Sequence, residues 1–597
     1  MFAWTARELN PEQTEAVREE GSVFLIACPG SGKTRTLTYK VAYELARLQS
    51  ERRFVVAITY THRAADEIEQ RIEDLGVDTA RLWIGTIHAF CLEWIIKPYG
   101  IYEPTLAHGY RIIDQHEREL LFEQLCQPYA RERIKSFDCE YYFAHDGYHL
   151  GCPNLAKHQS LHAILAEYFK TLEANRQLDF ELLLWHACKL VERMPAISRM
   201  LSQMFSMVLV DEYQDTKEIQ YSIIASILLS GEGSTRLFMV GDPNQGIYGS
   251  LGGYPIELAD LRALTNLEIT PKQLSVNYRS SARIIEYFGN FNVYGTQIAP
   301  GGEVQNYPSL ISYNNHVERD DLIAEIARVV RHNIENLQVP PHEVCVLAPQ
   351  WMHLATMTRG LAATLPEYQF NGPGMVPFAR DTENFWYKLS RVALTEPSPD
   401  MYTRRLRWVE EVLRDLRQVG VDTSNFSAKA LLRESNAIDI QEHAGIEYLR
   451  LYFDEVFLRL GVQYGEIPQL RDHHAAFFES SARRITRLQN EGVDGIAELE
   501  FFKRVFQNRS GITVSTIHGV KGAEFDVVLA FALLEGMVPH FNDQNGHQSA
   551  RKLLYVIGSR ARKNLHLFSE TGRPRGRSDI YLPTQSLAAC VFNYDVV

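Results

Sequence analysis

No run of apolar residues in this sequence approaches the roughly 18 needed to cross a bilayer as a helix, and the longest candidate, Val527 to Leu534, has the length of a buried strand. The opening Met1-Phe-Ala-Trp-Thr-Ala-Arg-Glu8 lacks a basic segment followed by an apolar one, so a cytoplasmic protein with no membrane partner is expected. The 8 cysteines (Cys28, Cys91, Cys126, Cys139, Cys152, Cys188, Cys345, Cys590) include no Cys-x-x-Cys pair, which removes the usual spacing of zinc ribbons and iron–sulfur clusters and leaves reduced thiols as the expectation. Positive charge is not in excess either. With 61 Lys and Arg against 74 Asp and Glu, the net charge of −13 excludes coating of nucleic acid by bulk charge, but not a grip on one strand inside a groove. There is no fixed-period repeat or low-complexity tract, and a composition of 45% hydrophobic and 23% charged residues excludes collagen-like, disulfide-scaffold and disordered chains.

What is present is enough chain for several domains, since 597 residues exceed what one hydrophobic core sustains. Short apolar runs are each followed by a Gly-, Thr- or Asp-rich turn and a helical pattern: Val23 to Ala27, Val55 to Thr59, Met207 to Val210, Leu237 to Val240, Val344 to Ala348, Val527 to Leu533 and Leu565 to Phe568. Continuous Val/Ile/Leu strands alternating with helices predict parallel sheets covered on both faces, hence an α/β fold with two cores. Between them lie stretches rich in Leu, Arg, Glu and aromatics at helical spacing. The expected division is a first core over 1–92 and 186–282 with a helical insertion over 93–185, and a second core over 283–380 and 506–597 with a helical insertion over 381–505. From Thr571 onward, Arg573, Arg575 and Arg577 among Gly and Pro read as an irregular tail.

The segment Val23-Phe-Leu-Ile-Ala-Cys-Pro-Gly-Ser-Gly-Lys-Thr34 reads as a strand, a tight glycine turn and the entry to a helix over Thr36 to Leu48. The backbone of such a turn, here Ala27, Cys28, Pro29, Gly30, Ser31 and Gly32, can surround an oligophosphate. Lys33 can reach the β and γ phosphates, and Thr34 can ligate Mg²⁺. Ala27 stands where the pattern usually opens with Gly. Farther on, Met207-Val-Leu-Val-Asp-Glu-Tyr-Gln-Asp215 is an apolar strand ending in carboxylates. Asp211 can hold the Mg²⁺ water shell and Glu212 can orient and deprotonate the attacking water, which suits hydrolysis rather than transfer. Carboxylates after a strand are often only a solvated turn, and the lysine loop upstream is what favours the catalytic reading.

Taken together these residues resemble the UvrD/Rep/PcrA-type superfamily 1 DNA helicases, because a whole series of motifs runs in that family's order. Leu9-Asn-Pro-Glu-Gln13 resembles the Q motif, Ile58-Thr-Tyr-Thr-His-Arg-Ala-Ala65 motif Ia, and Gly85-Thr-Ile-His-Ala-Phe90 the next DNA-contacting motif. Val210 to Thr216 resembles motif II, Val240 to Gly249 motif III, Leu274 to Ser281 motif IV, Val514 to Phe525 motif V and Leu553 to Ala561 motif VI. The resemblance implies two RecA-like P-loop cores that bind ATP and Mg²⁺ at their seam. By it, Gln13 reads the adenine, Tyr278 stacks on it, Arg35 lines the base pocket, Glu524 meets the ribose and Gln245 senses the γ-phosphate. Arg279 and Arg560 are the implied arginine fingers, suited to a loose phosphoryl transition state because the guanidinium donates in a plane. Thr61, Thr86, His88, Tyr248, Thr516 and His518 are the implied contacts to single-stranded DNA, although Thr and His at strand ends also serve as caps. The implied activity is an ATP-dependent translocase or helicase with 3′-to-5′ polarity.

Several features depart from that pattern. After Tyr248 come Gly249, Ser250 and Leu251 in place of an aromatic base platform, a loss of about 1–3 kcal/mol per base that puts strong unwinding in doubt. The compact second insertion resembles the helicase-like subunits of bacterial anti-phage systems such as Gabija, which implies a nuclease or other effector protein as partner. The alternatives are therefore a DNA-stimulated ATPase that regulates such an effector with little unwinding, and an RNA helicase. No nuclease constellation follows motif VI. In the first insertion, His145, His149, His158 and His162 at i, i+4 spacing, with Cys139 and Cys152 nearby, could place zinc ligands on one helical face, and ordinary helical histidines account for them as well.

Overall fold

The computed structural model describes residues 2–372, 376–378, 384–490, 495–506, 511–541, 543, 545–575 and 579–597. Two six-stranded parallel sheets organise it. The first is built from β1 (Ser22–Ala27), β2 (Phe54–Thr59), β3 (Leu82–Thr86), β4 (Phe205–Asp211), β5 (Arg236–Gly241) and β6 (Ile269–Leu274), in the order β6-β1-β5-β4-β2-β3. The second contains β7 (Ile311–Asn314), β8 (Val344–Ala348), β9 (Phe370–Asn371), β10 (Ile512–Thr516), β11 (Phe525–Ala530) and β12 (Ala561–Phe568), in the order β7-β12-β11-β8-β10-β9. Central strands β4, β8 and β11 are buried along their whole length, as strands covered by helices on both faces must be, and they are the continuous apolar runs of the sequence. Edge strands are different. β6, Ile-Thr-Pro-Lys-Gln-Leu, buries only Ile269 and Leu274, so its sequence carries no strand-like apolar run.

The first insertion is not wholly helical. Helices Gln115–Cys126, His158–Ala174 and Phe180–Arg193 surround an antiparallel hairpin, Tyr141–Ala144 with Gly147–Leu150, and their cores merge with that of the first sheet. His145 and His149 sit on this hairpin rather than on one helical face. The imidazole of His149 is bonded to Asp146 at 2.7 Å, that of His158 to the Cys152 carbonyl at 2.7 Å and that of His162 to the Tyr148 hydroxyl at 2.8 Å, so zinc is not what these rings are arranged around. The second insertion is helical in its described residues, from Phe385–Ala393 to Leu499–Arg504, around its own core of Trp386, Phe453 and Phe477.

The C-terminal stretch is docked, not an irregular tail. Asp595 exchanges backbone and side-chain hydrogen bonds with Ile311 on edge strand β7 at 2.7 Å each, Tyr594 packs on Tyr287 and Tyr313, and Leu587 is fully buried. All eight cysteines are free thiols. Among the described residues, no helix is long and apolar enough to cross a membrane.

Candidate functional site

The glycine turn joins β1 to the helix Lys33–Arg47. Gly30 (φ +67°) and Gly32 (φ +81°) both take left-handed backbone, and Gly32 caps the helix without any side-chain bond, leaving first-turn N–H groups facing the cleft. A Cβ on Gly32 would lie 2.6 Å from the Gln13 Nε2, and one on Gly30 2.5 Å from the Arg279 Cβ. The loop is therefore packed between two other sequence motifs. Gln13 spends its amide on structure: Oε1 accepts the Asn10 N–H at 2.9 Å as a capping box, and Nε2 donates to the Ser31 carbonyl at 2.9 Å. Asn10 also donates to the hydroxyl of the exposed Tyr278 at 2.7 Å, which puts that ring beside the Q-like motif; Arg35 is exposed on the adjoining helix turn.

The carboxylates come from the end of β4. Asp211 is buried, and burial together with the neighbouring Glu212 pushes its carboxyl up to about 7, with Lys33 pulling the other way. Glu212 adopts φ +52°, which turns its side chain away from the strand line. Burial pushes its carboxyl up, but Lys33 and Lys521 outweigh this and hold it below the ordinary range. The pair is thus split, with Glu212 ionised and available as a base and Asp211 short of a cation. A divalent metal between Asp211 and Thr34 would supply that charge, and the donor set of hard oxygens fits Mg²⁺.

Of the two predicted finger arginines, Arg560 enters from the second lobe, and Arg279 lies on the segment that leaves β6 of the first sheet. Arg560, which ends the helix Gly546–Ser559 immediately before β12, is 1% exposed, and its Nη2 donates to Gln245 Oε1 at 2.8 Å; Gln245 in turn donates to Asp242 at 2.8 Å. Burial and the nearby Arg279 lower the pKa of Arg560, an excess of buried positive charge that a phosphate would relieve. Arg279 follows Tyr278, whose N–H donates to the Gly30 carbonyl at 3.0 Å. The Arg279 side chain is paired to Glu524 at 2.5 Å and donates to the Ser559 carbonyl at 3.0 Å. Glu524, the residue expected at the ribose, is in this structure the partner that holds Arg279 and also lies 3.4 Å from Arg562. Lys33, Glu212, Gln245 and Arg560 are thereby gathered at one seam.

The predicted strand-contacting residues group on an adjoining face. Thr61, Thr86 and His88 line an open cavity of about 1040 Å³ that is also lined by Tyr142 and Phe180 of the first insertion and by Phe477, Arg483, Arg484 and Arg487 of the second. Tyr248 meets the His518 ring at 5.4 Å across the seam. The hydroxyl oxygens of Thr61, Thr86 and Thr516 accept cap bonds from Ala64, Ala89 and Gly519 at 3.2, 3.3 and 3.0 Å, and each can still donate its proton to a phosphate oxygen. The sequence reading missed Tyr60, which is 47% exposed and stacks on Tyr248 at 5.4 Å and 27°. Its signal was available, an aromatic between the threonines of Thr59-Tyr-Thr61. It also missed Arg483, Arg484 and Arg487, spaced to share one side of the helix Pro468–Asn490. The side chain of Ser250 lies outside the described residues.

A family model described as the UvrD/REP helicase N-terminal domain matches residues 9–262, and one described as the UvrD-like helicase C-terminal domain matches residues 497–571. The ATP-dependent DNA helicase PcrA of Staphylococcus epidermidis is 23% identical over 650 residues, covering 97% of this chain and 86% of its own length. PcrA of Staphylococcus aureus is 23% identical over 644 residues with the same coverage. With matches at both ends of the chain, on the segments that build the seam, the chain belongs to the UvrD/Rep family of ATP-dependent DNA helicases.

Proposed function

We propose that the protein hydrolyses ATP with Mg²⁺ in the cleft between its two sheets and uses the resulting closure and opening to move along single-stranded DNA in the 3′-to-5′ direction. The observation that carries this reading is the placement of Arg560, from the second lobe, on Gln245 of the first, with the electrostatic reach of Lys33 covering Asp211 and Glu212. Lys33 and the backbone of Ala27 to Gly32 bind the phosphates, Thr34 and Asp211 hold the metal, Glu212 takes the proton of the attacking water, and Arg279 and Arg560 neutralise charge that grows on the transferred group. Mg²⁺, when bound, polarises the terminal phosphates and orients them. Arg279 must leave Glu524 to serve, so hydrolysis follows closure rather than binding alone.

The regulatory-ATPase reading draws on Gly249, Ser250 and Leu251 at the missing platform. Against it stands the Tyr60–Tyr248 stack, which offers an exposed aromatic surface beside the same cavity. Phosphate release by the full chain, with and without poly-dT or poly-U, tests the proposal. Turnover abolished by Lys33→Ala and stimulated more by poly-dT than by poly-U is expected. Greater stimulation by RNA, or undiminished turnover in Lys33→Ala, would refute it, and strand displacement on a 3′-tailed but not a 5′-tailed duplex checks the polarity.

A further inference from the structure

Lys521 belongs to the second lobe, just beyond β10, yet the hydrogen-bond partners of its ammonium are in the first. Its ammonium pairs with Asp215, donates to the Gln245 carbonyl at 2.9 Å and lies 5.0 Å from the centroid of the Tyr248 ring. The Lys521 side chain is 10% exposed and that of Asp215 is wholly enclosed. Two such groups could not stay charged apart, so the pair acts as a clasp across the seam.

What the clasp holds is specific. Asp215 ends the short turn Tyr213–Asp215 that begins at Glu212, and its N–H donates to the Glu212 carbonyl at 3.0 Å. On the other side Tyr248 is stacked on Tyr60. A cavity of about 330 Å³ joins the two regions, lined by Tyr60, His88 and Tyr248 as well as by Asp211 and Asp215. A nucleic-acid strand seated on the tyrosines thus lies against a cation that also touches the turn carrying the general base.

We propose that Lys521 is a positioning residue that makes hydrolysis responsive to the bound strand, transmitting the placement of Tyr248 to the Asp215 turn and to the Gln245 backbone. This rests on the ATP-driven translocase reading above. A strand that fixes Tyr248 fixes the ammonium between ring and carboxylate, and with it the direction of Glu212 and of the Gln245 side chain toward the γ-phosphate. Without the strand the clasp still forms, but the ring that steadies it is free to move.

The test uses the full chain carrying Lys521→Met, read in two ways: the ratio of turnover with saturating poly-dT to turnover without it, and the affinity for a fluorescent ATP analogue. The expected result is a ratio lowered at least tenfold, with analogue affinity within threefold of the parent. Lys521→Arg should recover part of the ratio, and adding Asp215→Asn to Lys521→Met should lower it no further, because the two residues act as one pair. A parental ratio in Lys521→Met overturns the proposal. So does a loss of affinity equal to the loss of stimulated turnover, since Lys521 would then be a nucleotide ligand. Should the methionine variant not fold by circular dichroism, Lys521→Gln is read against the same criteria. Failure of the translocase reading would show separately, as a parent chain that poly-dT does not stimulate or whose Lys33→Ala variant still turns over.

Discussion

Adding one methyl group at Gly30 probes the seam at its narrowest point. The new Cβ would stand 2.5 Å from the Arg279 Cβ, 3.1 Å from the Asn277 Oδ1 and 3.2 Å from the Arg279 N. Ordinary carbon–carbon contact is about 3.7 Å, so the phosphate loop and the segment bearing the finger must part by about 1.2 Å there. The Tyr278 N–H to Gly30 carbonyl bond, now 3.0 Å, would be stretched with them. In addition an L-residue at φ +67° carries a backbone penalty of about 1–2 kcal/mol. Gly76 separates the two effects, because it has φ +73° and nothing within 4 Å of its would-be Cβ. Gly76→Ala should therefore lower Tm by a few degrees and leave turnover within twofold of the parent. Gly30→Ala should do the same to stability or more, and should lower turnover about 10²-fold, the usual consequence of displacing reacting groups by about 1 Å. Phosphate release at saturating ATP and poly-dT, with calorimetric melting of both variants, provides the comparison. A Gly30→Ala protein that turns over within threefold of the parent would refute the contact between the loop and the Arg279 segment as a requirement for catalysis.

Other outcomes follow from the same geometry. Glu212→Gln should bind ATP near parental affinity while losing about 10²–10⁴ in turnover, the range for a general base, and Arg560→Ala should lose about 10³-fold or more; single-turnover assays beside equilibrium binding distinguish chemistry from affinity. A pH effect is expected at His566, on β12, where burial pushes the imidazole down to about 3 while Asn333 donates to its Nε2 at 3.0 Å. Its pKa is lowered by folding, so the unfolded chain binds the proton first. The contribution is intact above about 6.5 and is lost progressively as pH falls from there toward 3, amounting to about 1.4 kcal/mol by pH 5.5. Urea melts at pH 7.5 and 5.5 should show that loss in the parent and a smaller one in His566→Asn; equal losses in both would place the effect elsewhere.

Much of the fold was legible because its central strands are uninterrupted apolar runs, as β4, β8 and β11 show. The edges were not. β3 and β6 face solvent on one side and read as mixed sequence, and the β7 edge is completed by chain from beyond residue 571, whose Arg, Gly and Pro content concealed that Leu587 and Tyr594 are anchors. The hairpin in the first insertion was hidden for a related reason: Tyr141, Tyr142 and Phe143 form an unbroken aromatic run in which no alternation of apolar and polar residues can be read.

At the cleft, the order of residues pointed to Lys33, Asp211 and Glu212, because phosphate chemistry demands particular side chains at particular offsets from a strand end or helix start, and the family resemblance pointed to Arg279 and Arg560. It could not say that Glu524 holds Arg279, that Arg560 rests on Gln245, or that Lys521 reaches Asp215 and Tyr248 together. Those pairings join residues hundreds of positions apart, and they arise only when the two lobes meet at the seam. Local sequence dictates which groups each lobe offers to the seam, whereas docking of the lobes decides which charge meets which, since burial at the interface lets each ionic group keep its charge only beside a partner.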